Sequence, residues 1–206
     1  QPGGTLDASF GTGGATTTGF AASTTDYAQG IAIQSDGKIV AAGYTELGGD
    51  ADFAVARYTS TGALDTTFHS DGIVATPILS LDDMGNAVAL HTYSGEERIV
   101  VAGSADNSGN IDFAVARYKA DGSLDITFNG TGTVTTAIGT GADIGQAVAV
   151  QSDGKIVVVG SAYNGSNDDF AVARYNANGT LDTTFGGAGK VMTGVGVGSG
   201  MDQGRA

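Results

Sequence analysis

"DFAVARY" stands at residues 52–58, 112–118 and 169–175 of this 206-residue chain. The three copies begin 60 and 57 residues apart, and each has an arginine inside an otherwise apolar run. Recurrence at a nearly constant spacing is typical of tandem structural repeats, in which each copy forms the same supersecondary unit. The fold is therefore that of one unit repeated several times.

Two further motifs recur with the same period. The middle copy differs at one point, because "TYSGEERIV" stands where the other copies have "SDGKIV" and adds three residues. This insertion falls at a turn, where extra residues are well tolerated. The first motif, Leu-Asp-x-x-Phe, begins at Leu6, Leu64, Leu124 and Leu181, and the second opens on Asp26, Asp83, Asp143 and Asp202.

The third copy shows what one unit contains. "QAVAV" (146–150), "KIVVVGS" (155–161) and "DFAVARY" (169–175) have the alternating or continuous apolar pattern of strands, and a fourth strand is expected near 190–193. Asp-Gly and Asn-Gly pairs separate the runs, as in tight hairpins. No segment has the period of an amphipathic helix. Four antiparallel strands in about 57–60 residues is the size of a β-propeller blade, so we predict an all-β propeller.

The repeat boundaries divide the chain into about three and a half blades. Propellers have roughly four to eight blades, so we expect the ring to be completed by a longer parent chain or by further copies in a ring or filament. The N-terminal outer strand would then pair with the last blade. The predicted parts are an outer strand at 15–20, blade 1 at 26–82, blade 2 at 83–142, blade 3 at 143–201 and the start of a fourth blade at 202–206.

Composition restricts the classes of partner. Hydrophobic residues make up 41% of the chain, enough for a core, and the formal net charge is −13. Such an acidic surface disfavours nucleic acid as a partner. There is no cysteine, which excludes disulfides and thiolate metal sites, and no stretch is long and apolar enough for insertion into a membrane as a helix.

The repeated arginines are expected to be structural. Side chains alternate along a strand, so Arg57 shares a face with Phe53 and Val55 and points into a contact between blades. A charge in such a contact needs a carboxylate partner. We therefore predict one Arg–Asp ion pair in each blade, with an aspartate of the Leu-Asp or Asp-x-Gly-Gln motif. The arginines are Arg57, Arg117 and Arg174.

The aspartates that precede the inner strands leave two interpretations open. Asp26, Asp83, Asp143 and Asp202 recur once per unit, which would place a ring of carboxylates at one mouth of the central channel. Such a ring could bind Ca²⁺ through its oxygens. In the other interpretation the same carboxylates cap turns or pair with the arginines.

No catalytic or cofactor-binding residue can be assigned. His69 and His91 occupy non-equivalent positions of the repeat, and both are expected as solvated residues in or beside turns. The glycine-rich segments lack the lysine and hydroxyl residue of a phosphate-binding loop. No Ser-His-Asp set can be assembled.

The spaced motifs resemble a known family of repeats. "LDTTFGGAGKV", "QAVAVQSDGKIVVVG" and "DFAVARYNANGTLD" are similar to the delta-60 repeats of bacterial secreted and surface proteins, and the Asp-Gly turn looks like that of an NHL-type blade. The resemblance implies a β-propeller and an extracellular or cell-surface location, and it implies no activity. By the same resemblance, Gln1 is expected to be a mature N-terminus.

These expectations favour a non-enzymatic scaffold or adhesion module of a larger bacterial surface or secreted protein. Its partners would be the remainder of its parent chain or further copies of itself. One alternative is a propeller that binds a glycan or small ligand through exposed aromatic residues of the variable loops. The other, a metal-dependent propeller hydrolase, would need unlike polar residues converging on the channel, whereas the units supply similar ones. The aromatic candidates are Tyr44, Tyr93 and Tyr163.

Overall fold

The computed structural model describes residues 4–194, which form three four-stranded antiparallel sheets and contain no helix. Each sheet is one blade, and its strands follow one another in chain order across the sheet. Blade 1 consists of β1 (Asp26–Ile33), β2 (Ile39–Leu47), β3 (Asp50–Tyr58) and β4 (Ile73–Thr76). Blade 2 consists of β5 (Asp83–Tyr93), β6 (Glu96–Asn107), β7 (Asn110–Tyr118) and β8 (Thr133–Thr136). Blade 3 consists of β9 (Asp143–Val150), β10 (Ile156–Tyr163), β11 (Asp168–Tyr175) and β12 (Lys190–Thr193).

The insertion in the middle copy lengthens a hairpin. Ser94 and Gly95 have φ angles of 53° and 80°, the left-handed pair that a two-residue hairpin turn requires. The pairing continues up to this turn, with Tyr93 opposite Glu96. As a result β5 has 11 residues, whereas β1 has 8. The insertion therefore adds strand length and does not disturb the blade.

The apolar core lies between the blades. We call the face that bears the Phe and Val of "DFAVARY" the forward face of a blade, and the face that bears its Ala and Tyr residues the rear face. At the first junction the forward face of blade 1 packs on the rear face of blade 2, and the second junction repeats this arrangement. Large side chains of one face meet small ones of the next, which brings the sheets close together. The first junction includes Val40, Phe53, Val55 and Phe68 of blade 1 with Ile99, Ala114, Ala116 and Tyr118 of blade 2.

Each inner strand carries a β-bulge at the same point of the repeat. In blade 2 the register shifts between Gly85 and Ala87, so Asn86 has no partner across the pair. The bulge pushes the Met84 carbonyl towards Gly103, where a Cβ atom would lie 1.8 Å from that oxygen. Only glycine fits at this point, and a bulge of this kind re-aims the extra side chain.

Residues 15–20 differ from the sequence prediction, because they do not form a strand. Ala15 makes isolated bridges with Gly11 and Thr12, and no described strand pairs with the segment. It nevertheless lies where an outer strand would lie. The Tyr58 hydroxyl contacts Thr18 Oγ1 at 2.7 Å, and Tyr118 and Thr76 make the same contact at 2.8 Å. The segment lacks strand structure because no sheet of the described residues lies beside it to complete its hydrogen bonds.

The end of blade 3 and the start of a fourth blade, predicted at 195–206, lie outside the described residues. Within the described part of the chain, no helix could cross a membrane.

Candidate functional site

The repeated arginines lie beside the aspartates of the Leu-Asp turns. Arg57 Nε lies 2.8 Å from Asp65 Oδ2, and Arg174 Nε lies 2.8 Å from Asp182 Oδ2. In the middle unit Arg117 Nε lies 3.1 Å from Asp125 Oδ2 as an ion pair. Both side chains of this middle pair are buried, with exposed fractions of 0% and 1%. Of the two aspartate motifs that the sequence offered, the Leu-Asp motif thus provides the partner in each unit.

A second cation shares each aspartate, and the sequence analysis did not find it. Lys38 Nζ lies 3.3 Å from Asp65 Oδ2, and Lys155 Nζ lies 3.4 Å from Asp182 Oδ2. In the middle unit Arg98 replaces the lysine and donates from Nε to Asp125 Oδ2 at 2.9 Å. The available signal was the basic residue next to the start of the second strand in all three copies, one residue before β2 and β10 and the third residue of β6. Each unit therefore has an ionic triad, one carboxylate held by two cations.

Hydrogen bonds within the Leu-Asp turn also hold the carboxylate. The backbone N–H and the hydroxyl of Thr67 donate to Asp65 Oδ1 at 3.1 and 2.7 Å. The Phe68 ring lies beneath the Arg57 guanidinium, 4.8 Å from the Arg57 Cζ atom to the ring centroid. Burial alone would raise the pKa of Asp65, but hydrogen bonds from Thr67, with Lys38 and Arg57, lower that pKa from 3.8 to about 2.

The triads also connect one blade to the next. Arg57 Nη1 donates to the carbonyl oxygen of Ala120 in blade 2 at 2.7 Å, and Arg117 Nη1 donates to that of Ala177 in blade 3. The Arg174 side chain has no following blade among the described residues, and it is 21% exposed. The Arg57 side chain is 3% exposed. The arginines Arg57 and Arg117 therefore belong to the junctions between blades, and Arg174 lies on the face of blade 3 that no described blade covers.

Acid is expected to weaken this arrangement. Because the pKa of Asp65 is about 2 in the folded chain and 3.8 ordinarily, the unfolded chain binds more protons between these values. The stability that Asp65 contributes is present above pH 3.8 and is lost as the pH falls towards 2. Asp65→Asn should lower the melting temperature at neutral pH and flatten its decline in acid. Asp50→Asn, at an exposed carboxylate, is the control, and identical acid profiles for the two variants would contradict this assignment.

The aspartates predicted to form a calcium ring direct their carboxylates towards backbone N–H groups of neighbouring loops. Asp83 is the first residue of β5, and its Oδ2 accepts backbone N–H groups of Ile78 and Leu79 at 2.6 and 2.9 Å. Asp143 does the same at the start of β9, with Ile138 and Gly139 as donors. Burial raises the pKa of Asp83 and of Asp143. These carboxylates attach an inner strand to the loop that follows the outer strand of the preceding blade.

Asp26 has a related place at the start of β1, where its carboxylate accepts hydrogen bonds from Phe20 N–H and the Thr45 hydroxyl. Asp202 lies outside the described residues. Within residues 4–194 there is no group of three His, Cys, Asp or Glu side chains that could hold a metal ion. Bulged amides line the concave surface between the inner strands, namely Gln29, Asn86 and Gln146. Calcium binding stays a prediction.

The two histidines have different surroundings. His69 is exposed in a turn, as expected, with Nδ1 3.6 Å from an Asp71 oxygen. The expectation for His91 is wrong, because the longer hairpin places it inside β5, where it is buried. Burial and the charges of Arg117 and Arg98 lower the pKa of His91.

The three aromatic candidates for ligand binding also differ in their surroundings. The Tyr93 ring lies over Arg117, with 4.3 Å between the Arg117 Cζ atom and the ring centroid, so it belongs to the junction. Tyr44 stacks on Tyr27 with 4.7 Å between ring centroids. Tyr163 is partly exposed near the end of β10.

Three four-stranded sheets packed face to face through one repeated ionic triad define a β-propeller repeat protein. A family model described as "Domain of unknown function (DUF5122) beta-propeller" matches residues 34–68, 98–128 and 151–185. The chain belongs to this family, by which delta-60 repeats are recognised. Each matched segment contains one complete triad, from the basic residue near the start of the second strand to the phenylalanine of the Leu-Asp-x-x-Phe motif. A search of curated proteins finds none that matches this chain.

Proposed function

We propose that this chain is a non-catalytic scaffold or adhesion module of a larger bacterial surface or secreted protein. The observation that carries the proposal is that the repeated polar residues form structural contacts. In every unit they form the ionic triad, and in the first two units the arginine of the triad also donates to a backbone carbonyl of the next blade. Asp83 and Asp143 attach the inner strands of blades 2 and 3 to the loops that leave the preceding blades. Polar residues that recur in every unit and bond to the backbone or to each other serve the fold of the repeat. They differ from a catalytic site, in which unlike residues occur once and converge. The extracellular location rests on the resemblance to secreted repeats.

The outer faces of the three-blade array support completion by further blades. Val172 and Phe170, on the forward face of blade 3, are partly exposed, whereas the equivalent Val55 and Phe53 are fully buried. On the rear face of blade 1, Ile31 and Ile33 are 69% and 67% exposed. Apolar faces of this kind mark interaction surfaces. The partners we propose are the remainder of the parent chain or further copies.

Association of the 206-residue chain tests this proposal. We expect sedimentation at micromolar concentration to show particles larger than the 20.4 kDa monomer. Val172→Lys should shift the distribution to monomer, because it places a charge on the forward face of blade 3. Ile126→Lys is the matched control, since Ile126 is exposed in a Leu-Asp turn away from that face. A wild-type chain that stays monomeric and fully folded would overturn the proposal.

The alternative of a glycan-binding propeller is favoured by one observation, the partly exposed Tyr27–Tyr44 stack at the edge of blade 1. Stacked aromatic rings offer flat apolar surface next to polar groups. A glycan array separates this alternative from the scaffold. A metal-dependent hydrolase is the third candidate, and a metal-dependence assay on the pure protein is its test.

A further inference from the structure

His91 differs from the residues at the same position of the other two units. These have glutamine, Gln34 and Gln151, directly after the inner strand. At the first junction Gln34 reaches across to blade 2, where its Nε2 donates to Glu97 Oε1 at 2.6 Å. His91 has the matching place at the second junction. The two junctions, which are otherwise built alike, therefore differ in the chemistry of one equivalent side chain.

The imidazole of His91 packs against blade 3 without bonding to it. A Cβ atom added to Gly154, in the first turn of blade 3, would lie 3.2 Å from His91 Nε2 and 3.4 Å from Ala177 Cβ. His91 is 3% exposed, and neither of its ring nitrogens has a hydrogen-bond partner among the described residues. The imidazole therefore fills this part of the junction by packing alone, beneath the turns of blade 3 that contain Gly154 and Ala177.

The charged groups that blade 2 brings to His91 already balance one another. Arg98 is directly opposite His91 in the strand pair, so the two side chains lie on the same face. Asp125 Oδ2 lies 2.9 Å from Arg98 Nε and 3.1 Å from Arg117 Nε. The exposed Glu96 pairs with Arg98 at 2.8 Å. Two guanidinium groups thus face two carboxylates, and a proton on His91 would add a third cation.

Blade 3 does not change this balance of charge. The turn that covers His91 carries Asp153 and Lys155, whose side chains pair with each other at 3.4 Å. On the side of blade 2, the Tyr93 ring lies 5.8 Å from the His91 ring between centroids and covers Arg117. Burial, followed by the charges of Arg117 and Arg98, lowers the pKa of His91. The closed junction therefore favours the neutral imidazole.

We propose that His91 makes the junction between blades 2 and 3 open in mild acid, while the first junction stays closed. At neutral pH the uncharged imidazole packs beneath the turns of blade 3. An imidazolium needs water or an acceptor, and no described residue bonds to it in the closed junction. Protonation therefore moves these turns away from the ring and lets water in. Gln34 gains no proton between pH 5 and 8, so its contact with Glu97 does not respond.

The pH range of the effect follows from the shift of the pKa. Because the pKa of His91 is lowered from 6.5 in the closed junction, the opened junction binds more protons below pH 6.5. The stability that depends on neutral His91 is present above pH 6.5 and is lost as the pH falls below it. Each pH unit below 6.5 favours opening by up to about tenfold, until the lowered pKa is reached. Asp65 loses its contribution only below pH 3.8, so the two effects are separate.

Amide hydrogen exchange of the intact chain tests the inference, because each junction contains a matched reporter. Asn129 N–H donates to the Asn178 carbonyl across the second junction at 2.7 Å, and His69 N–H donates to the Asp121 carbonyl across the first at 2.8 Å. After correction for the intrinsic pH dependence of exchange, we expect protection at Asn129 to fall by up to about tenfold between pH 6.5 and 5.5. Protection at residue 69 should not change.

Two variants and one titration complete the test. His91→Gln installs the residue of the other two units and should abolish the acid effect at Asn129. His69→Gln, at the exposed histidine, is the matched control and should leave the effect intact. In the wild-type chain, NMR should show that His91 titrates below pH 6.5. An equal loss of protection at both junctions, an unchanged acid effect in His91→Gln, or titration of His91 at or above pH 6.5 would each overturn the inference.

Discussion

Asp125→Asn is expected to lower the free energy of unfolding by about 3–5 kcal/mol, the usual cost of leaving a buried charge without its partner. Asp125 is the shared anion of the middle triad, with Arg98 Nε at 2.9 Å and Arg117 Nε at 3.1 Å. Asparagine keeps the shape of the side chain and removes the charge. Two guanidinium groups would then remain close together, and Arg117 has no access to water. Urea denaturation followed by circular dichroism measures the change.

The chain provides a matched control for this variant. Asp7→Asn makes the same change in the equivalent N-terminal Leu-Asp turn, but Asp7 is exposed and forms no ion pair with a lysine or arginine of residues 4–194. We expect it to leave the denaturation curve unchanged. Arg117→Met should be milder than Asp125→Asn, because Arg98 and Thr127 still hold the carboxylate. Near-wild-type stability of Asp125→Asn would show that the triad is solvated and that the structural interpretation of the arginines is wrong.

Gly103→Ala should also be strongly destabilising, by about 3 kcal/mol, at the upper end of the range for overpacked sites. The added methyl group would lie 1.8 Å from the Met84 carbonyl oxygen and 3.0 Å from Gly85 Cα. These are backbone atoms of the paired strand β5, so no side-chain rotation relieves the contact. The bulge at Asn86 would have to open or the strands separate. A thermal melt measures the loss, and hydrogen exchange should show it first in β5 and β6.

Gly19→Ala is the control for this substitution. A methyl group there meets its nearest atoms at 3.7 Å, an ordinary van der Waals distance. We expect its melting curve to match that of the wild type. Equal melting temperatures for Gly103→Ala and Gly19→Ala would mean that the bulge is not required for the blade.

Much of the fold could be read from local pattern. Apolar alternation and Asp-Gly or Asn-Gly turns act within a few residues, so each strand is encoded close to itself in sequence. The predicted strand at 190–193 coincides with β12, and "DFAVARY" lies within β3, β7 and β11. The direction of the arginine side chain could also be predicted, because strand alternation places it on the same face as Phe and Val.

The partners of those residues were decided by the tertiary structure. Lys38 and Arg57 meet at Asp65 only because the second strand, the third strand and the Leu-Asp turn converge at one end of the blade. The sequence offered two aspartates for each arginine, and it contains nothing that measures their distance from the guanidinium. For the same reason the sequence could not decide whether the Asp83 carboxylate caps a loop or joins a ring at the channel. That choice depends on where the preceding blade ends.

His91 and residues 15–20 show the same limit. His91 stands three residues before the turn at Ser94 and Gly95, yet the insertion extends the pairing and places the side chain between blades. Residues 15–20 have the sequence of an outer strand, but a strand exists only where a neighbour completes its hydrogen bonds. The sequence by itself determined the repeated unit, its four strands and its turns, because these depend on neighbours along the chain. The triads and the loop attachments depend on neighbours in space, and only the folding of each blade and its packing on the next bring those together.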